Sequence, residues 1–454
     1  MNQPAPHSPP AQSESDTNLS SRRAEWAART HGPEARALLE RDSRAFLHQS
    51  VSTPCLGTIA RAEGIFIEDT AGRRYMDFHG NNVHHIGYGH PRLKAAIARQ
   101  MDELPFAPRR FTCGVSVELA EKLAAITPTG LDKVLFSTGG SDAVEIALKV
   151  ARLATGRHKT VSFWDSFHGA GFGASSVGGE ELFRAKAFGP LLPGTLHVPA
   201  FDSYRDSDPL ASAHRIAQIL RDEGDIAAVV AEPMRVTTGH VTVPGFWKIV
   251  REACDRSGAL LIFDEIPTGL GKTGRMFAHS HEGVIPDILV LGKGLGGGIL
   301  PIAAVVCRNS LDVAGDYAIG HYTHEKNPVT ARAALTTIQI IDDEGLVENA
   351  RATGEYALAR LKEMRKRHAL IGDVRGRGVV IGIELVSDRQ ARAPAPDAAE
   401  AVLYSALDRG LSFKTTMGHI LNLTPPLTTT VAQMDVALDI IDDCLVAAQK
   451  EKKG

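Results

Sequence analysis

The stretch ALLIFDEIPTGLGKTGRMFAHSHEGVIPDILVLGKGLGGG, Ala259 to Gly298, contains two short apolar runs that each end in charge. The first closes on Asp264-Glu265, and the second, Ile288 to Leu291, on Gly292-Lys293-Gly294. Short apolar runs bounded by Gly and Pro predict strands buried in a parallel sheet. Ligands of such sheets gather at the carboxyl ends of the strands. An acid and an amine at two such ends predict one shared small ligand, and the pair matches the needs of pyridoxal phosphate: a carboxylate for the ring nitrogen and an amine for the aldehyde.

Two other motifs compete for the same residues. Gly292, Gly294 and Gly297 satisfy the GxGxxG spacing of a dinucleotide-binding turn, with Asp312 downstream for a ribose. That turn should open a helix, whereas Ile299-Leu300-Pro301 followed by IAAVV predicts another strand. Gly271-Lys272-Thr273 resembles the end of a P-loop, but Ile266 stands where the leading glycine is required.

Composition narrows the class. The 454 residues leave room for a large α/β domain and a smaller one, and 43% hydrophobic with 23% charged residues is ordinary for a globular protein. A net charge of -3 gives no reason to expect nucleic acid or an anionic membrane surface, and no apolar run is long enough to cross a bilayer. The five cysteines, Cys55, Cys113, Cys254, Cys307 and Cys444, form no CxxC pair, which fits a reducing cytoplasm and no metal site.

Along the chain, residues 1–25 are rich in Pro, Ser and Gln and are expected to be a disordered tail without an apolar signal segment. Residues 26–95 are expected to form the N-terminal part of a small domain, 96–344 the large domain and 345–454 the C-terminal part of the small α+β domain. Gly64 to Phe78 predicts a hairpin turning at Thr70-Ala71-Gly72. Lys133 to Ser137 predicts a strand running through Thr138-Gly139-Gly140-Ser141 into a helix, the arrangement that offers backbone N–H groups and a helix dipole to a phosphate. Further strands, Thr160 to Phe163 and Ile226 to Ala231, end near Phe167-His168-Gly169 and Glu232-Pro233. Strands alternating with helices predict a doubly wound, mostly parallel sheet. Met434, Leu438, Ile441 and Leu445 line one face of a final helix.

In this order, FSTGGSDAVEIALK (136–149), FHG (167–169), AEP (231–233), LIFDEIPTGLGKTG (261–274), PDILVLGKGLGGG (286–298), THEKNP (323–328) and VRGRGVVIGIEL (374–385) make the chain resemble class III, or ω-, aminotransferases from Thr53 to Val446. That resemblance implies fold type I of the pyridoxal phosphate enzymes, with a large domain on a seven-stranded-type sheet, and a homodimer with shared active sites. It implies that Lys293 carries the cofactor and moves the proton, that Asp264 pairs with the ring nitrogen, and that Phe167 stacks on the ring. It further implies a cofactor shell of Gly140, Ser141, His168, Glu232, Ile266 and, from a neighbouring subunit, Thr323. Taken singly, a strand-end Asp is often a cap and a lone Lys a solvated charge; their joint order is what points to chemistry.

The departures from the pattern bear on substrate. Relatives that pass amino groups through glutamate carry an Arg in the strand matched by Gly418 to Leu427, and here Asn422 stands in its place. The Glu that covers that Arg is replaced by Thr237, and Pro267 stands where a Gln is common. An amide cannot reproduce the two-pronged grip of a guanidinium on a carboxylate. Arg235, Lys326 and Arg110 bring new cations and, with Asn422 and Asn82, are the expected substrate contacts, for an amine bearing a phosphonate or phosphate. HGNNVHHIGYGHP, DEIPTGLGKTG and GHYTHEKNP resemble the family's ammonia-lyases. The expected reaction converts (R)-1-hydroxy-2-aminoethylphosphonate to phosphonoacetaldehyde and ammonia; the alternative is ω-amino transfer from a primary amine to a keto acid.

Overall fold

The computed structural model describes residues 20–451 apart from residue 185. Most of the expected tail, residues 1–19, lies outside the described residues. Helix Ser21–Thr30 begins inside that expected tail, with the Ser20 hydroxyl accepting the Arg23 N–H at 3.0 Å as its cap.

Seven strands build the large sheet: β1 (Leu131–Ser137), β2 (Lys159–Phe163), β3 (Thr195–Val198), β4 (Ile226–Ala231), β5 (Leu260–Asp264), β6 (Ile288–Leu291) and β7 (Ala303–Arg308). Their spatial order is β1-β7-β6-β5-β4-β2-β3. Only β7 runs against its neighbours. Its direction has a local cause: β6 ends in a tight turn at Lys293–Gly296, Gly297 and Gly298 take φ of 67° and 75°, and the chain returns at once, which a parallel crossover cannot do. A strand follows the glycines, so the dinucleotide-binding reading of Gly292, Gly294 and Gly297 falls.

Successive residues of the buried strands feed two apolar layers, as the period of two requires. Val229, Leu261, Phe263, Leu289 and Leu291 face one layer; Val230, Ile262, Ile288 and Val290 face the other. Helices Phe246–Ser257 and Pro328–Asp343 cover the first, and helix Gly140–Thr155 covers the second. Burial on both faces explains why these strands read as unbroken apolar runs.

A second core joins the two ends of the chain. Strand Arg74–Asp77 pairs parallel with Leu411–Ser412, and Trp26, Tyr75, Met76 and Phe78 pack in one cluster with Ile381, Ile383 and Leu438. The predicted hairpin is present, Phe66–Asp69 against Arg74–Asp77. Met434, Leu438, Ile441 and Leu445 are all fully buried on helix Val431–Glu451. Among the described residues no helix is long and apolar enough to cross a membrane, and no cluster of side chains could hold a metal ion.

Candidate active site

Parallel pairing sets Asp264 beside Val290, so the tips of β5 and β6 emerge at the same edge of the sheet and Lys293 follows immediately. Lys293 has a φ of 43°, a left-handed conformation that a side-chain-bearing residue adopts only when its surroundings impose it. His85 packs against the next residue of the turn. A Cβ on Gly294 would lie 2.1 Å from His85 Nδ1, so the imidazole rests directly on this turn. His85 Nε2 lies 3.2 Å from the Gly269 carbonyl, and burial holds the ring neutral, well below its usual range.

The Asp264 carboxylate is buried. One oxygen accepts the Ile266 N–H at 3.1 Å and the other lies 2.8 Å from His168 Nδ1. His168 is also buried, and its Nε2 has no partner. Gly140, at the start of helix Gly140–Thr155, closes the floor: a Cβ there would lie 2.7 Å from Ile266 Cδ1, and one on Gly292 would lie 3.4 Å from the same side chain. Ser141 accepts the Ala170 N–H at 3.0 Å through its hydroxyl. Its backbone N–H, at the helix start, is one of those a helix leaves without an intrahelical partner. Gly169 presses so closely on Ser141 that a Cβ would come 2.6 Å from the hydroxyl. Phe167, on the same loop, sits with its ring 4.4 Å from that of Phe183.

Asp264, His168, Ile266, Gly140 and Ser141 are thus linked by contacts at the strand tips and one helix end, with Lys293 on the turn after the neighbouring strand and Phe167 next to His168 in the chain. Their chemistry fits pyridoxal phosphate: a buried carboxylate for a protonated ring nitrogen, a helix N-terminus for a phosphate and an amine held in a strained turn.

The expected substrate residues fall into different places. Asn422 is buried and donates from Nδ2 to the Val236 carbonyl at 2.8 Å, one residue before Thr237. Asn82 is buried with a φ of 61°, and its Oδ1 has no partner. Arg235 differs from a cation waiting for an anion: it is buried, bonded to Glu232 and to the Asp165 carbonyl, and 3.8 Å from the Asp165 carboxylate. Its charge is therefore already matched, and Glu232 also accepts the Val236 N–H at 3.2 Å. Arg110, Thr323 and Lys326 lie on exposed loops of the chain, Lys326 beside Ser116 and Thr112.

Sequence reasoning missed Lys272. It is fully buried, and its ammonium donates to the carbonyls of Thr424 at 2.9 Å and Pro425 at 2.7 Å, which tethers the large domain to the loop after Asn422. Burial lowers its pKa to about 7, opposed by Asp77. The signal was present, a lysine inside a Gly-rich turn too tight to be mere surface.

Comparison with known proteins places this geometry. Residues 48–445 match the family Aminotransferase class-III. The chain is 42% identical to an (R)-1-hydroxy-2-aminoethylphosphonate ammonia-lyase of Vibrio splendidus, over 97% of this chain and 96% of that protein. It is 35% identical to an isoleucine 2-epimerase of Lentilactobacillus buchneri, over 86% and 90%. A solved amine transaminase from an uncultivated Pseudomonas species, with pyridoxal phosphate bound, superimposes with a TM-score of 0.80 at 31% identity, over 89% of this chain and 99% of that one. Pyridoxal 5′-phosphate is the cofactor, and the protein is an enzyme that belongs to the class III aminotransferase family, with fold type I.

Proposed function

We propose that this enzyme is an ammonia-lyase acting on (R)-1-hydroxy-2-aminoethylphosphonate. The observation that carries the reading is Asn422, whose amide is committed to the Val236 carbonyl at 2.8 Å where relatives that use glutamate hold an arginine. Thr237, one residue on, replaces the glutamate that would cover it. With both members of that switch gone, a keto acid has no two-pronged clamp, so a reaction needing no second substrate is favoured. The likeness to the Vibrio splendidus ammonia-lyase supports the same conclusion.

The bound cofactor supplies an electron sink that acidifies the C–H bond beside the substrate amine. Asp264 keeps the charge opposite the ring nitrogen, and His168, 2.8 Å away, fixes that carboxylate's orientation. Lys293 takes the proton from the amine-bearing carbon. The hydroxyl on the neighbouring carbon then leaves with a proton, as water. Water adds back to the unsaturated amine, and ammonia departs. The net change is substrate to phosphonoacetaldehyde plus ammonia, with the water cancelling. The exposed Thr323 and Lys326 reach the site of a second copy in a homodimer, Thr323 toward the cofactor phosphate. Asn82 and Arg110 border the substrate. Five free cysteines fit a cytoplasmic enzyme.

A second reading, ω-amino transfer on a small amine, is favoured by solved relatives such as the Pseudomonas amine transaminase. Ammonia release with no keto acid added separates the two. Many turnovers per site support elimination; a halt after one, with the cofactor left in its amine form, overturns it.

A further inference from the structure

His85 takes no part in the chemistry assigned to Lys293 and Asp264, yet it is only 1% exposed and touches the segments that carry both. It stands between strand Arg74–Asp77 and helix Pro91–Glu103. Its Nε2 lies 3.2 Å from the carbonyl of Gly269, in the loop that follows Asp264. Its own carbonyl accepts the N–H of Leu427, in the segment beyond Asn422, at 2.9 Å. The third contact is Gly294, the residue after Lys293, where the three atoms nearest to an added Cβ all belong to the imidazole. Gly294 has no left-handed φ, so it is the ring, not the backbone conformation, that excludes a side chain there.

The rest of the segment follows the same turn. Gly80–Asn82 packs against Lys293–Gly296, and a Cβ on Gly298 would lie 3.1 Å from the Val83 carbonyl. Both partners hold sparsely populated backbone: Asn81 and Asn82 have φ of 48° and 61°, and Lys293 has 43°. Strain of this kind persists only where neighbours over-determine it. Because a carbonyl can only accept, Nε2 carries the ring's proton and Nδ1 a lone pair, which has no hydrogen-bond partner. Burial first, then the charge of Lys272, with Lys293 contributing, keeps the imidazole neutral. The ring therefore brings no further cation to the turn.

Resting on the reading of Lys293 as the amine that moves the proton, we propose that His85 is the positioning residue for that transfer. Its ring seats the Lys293–Gly294 peptide. Its links to Gly269 and Leu427 fix that seat relative to the Asp264 loop and the segment beyond Asn422. Freed of the seat, Lys293 relaxes out of its left-handed turn and carries its amine away from the carbon it serves. A displacement of about 1 Å at a reacting group costs about 100-fold in rate. The loss falls on the chemical step and leaves affinity for the substrate nearly unchanged.

The test uses the holoenzyme and reads the single-turnover rate with the amine substrate, which requires proton removal in elimination and in amino transfer alike. His85→Ala should lower that rate by about 100-fold, with the substrate Kd changed less than about 3-fold. His85→Phe keeps a ring against Gly294 and gives up the bond to Gly269; its rate should stay within about fivefold of wild type. Gly294→Ala drives a methyl into the imidazole and should slow the enzyme at least as much as His85→Ala. Combining the two Ala substitutions makes room for the methyl, and the double variant should be about tenfold faster than Gly294→Ala alone. A readout independent of turnover is the rate at which cofactor-free protein captures pyridoxal phosphate, followed by the visible band. It should fall in both single Ala variants and recover in the double one. Should His85→Ala fail to fold, a slow Gly294→Ala beside a fast His85→Phe is the expected pattern, and equal rates in those two overturn the proposal. A folded His85→Ala within about 3-fold of wild type, or a double variant no faster than Gly294→Ala, also overturns it. Borohydride reduction and mass spectrometry of wild type separate this failure from that of the reading beneath it. A pyridoxyl group on a lysine other than Lys293 sinks both. A pyridoxyl group on Lys293, with rates indifferent to His85 and Gly294, sinks only this one.

Discussion

Asp264 ends one strand of the large sheet and Lys293 follows the end of the neighbouring strand, whereas Asn422, Thr416 and the Val236–Thr237 backbone come together from a C-terminal sheet and a large-domain loop. At the cofactor end, position follows from strand order, with β5 and β6 buried on both faces and unable to shift without disturbing two apolar layers. At the substrate end, position follows from single hydrogen bonds between side chains and carbonyls. A family can therefore keep the first constant and alter selectivity by changing a few residues at the second.

The largest effect that tests this contrast is at the sheet tip. Lys293→Ala removes the amine proposed to move the proton, and turnover should fall by at least about 1000-fold, while far-ultraviolet circular dichroism and sedimentation remain those of wild type. Ammonia release within a few-fold of wild type would show that the strained turn does not hold the reacting amine.

A smaller effect is expected at the substrate end. Asn422→Arg gives up the bond to the Val236 carbonyl and restores a guanidinium beside residues 236–237. If selectivity resides in these few side chains, the rate of 2-oxo acid amination by the amine-loaded enzyme should rise about tenfold, equivalent to roughly 1.4 kcal/mol. Pre-steady-state disappearance of the amine form reads this directly. An unchanged rate would mean that the missing clamp is not what bars keto acids.

The same contrast explains what the sequence disclosed. Period, glycine punctuation and charge at run ends are local, so Asp264, Lys293 and the helix start at Gly140 were legible, as was the sheet they crown. The reversed direction of β7 was not, because it depends on where a glycine turn aims the chain. Arg235 read as a free cation because its pairing with Glu232 and Asp165 needs a loop to fold back. Lys326 and Arg110 lie on exposed loops, and no local pattern in the sequence tells a loop cation that meets a ligand from one that meets water. Asn422 was noticed through a family comparison; its bond to Val236 is a tertiary fact that spacing does not encode.

Lys272 connects the two ends, and the smallest predicted effect concerns it. Its segment follows Asp264, and its ammonium grips Thr424 and Pro425 just beyond Asn422. Burial holds its pKa at about 7 in the folded protein, below the ordinary 10.5. Between those values the unfolded chain keeps a proton that the folded chain has given up, so Lys272 makes stability rise with pH across that window. Below about pH 7 the cost of the buried charge is fully present. Replacing Lys272 by Met removes the titration, and the unfolding free energy of wild type should gain on that of the variant by up to about 1.4 kcal/mol per pH unit from pH 7 upward. Urea unfolding of both proteins between pH 6.5 and 9, chosen to bracket that window, measures the difference. Parallel curves would mean that the amine keeps its proton throughout. The tether between cofactor and substrate ends would then be a permanently charged one rather than a tether that neutralises near physiological pH.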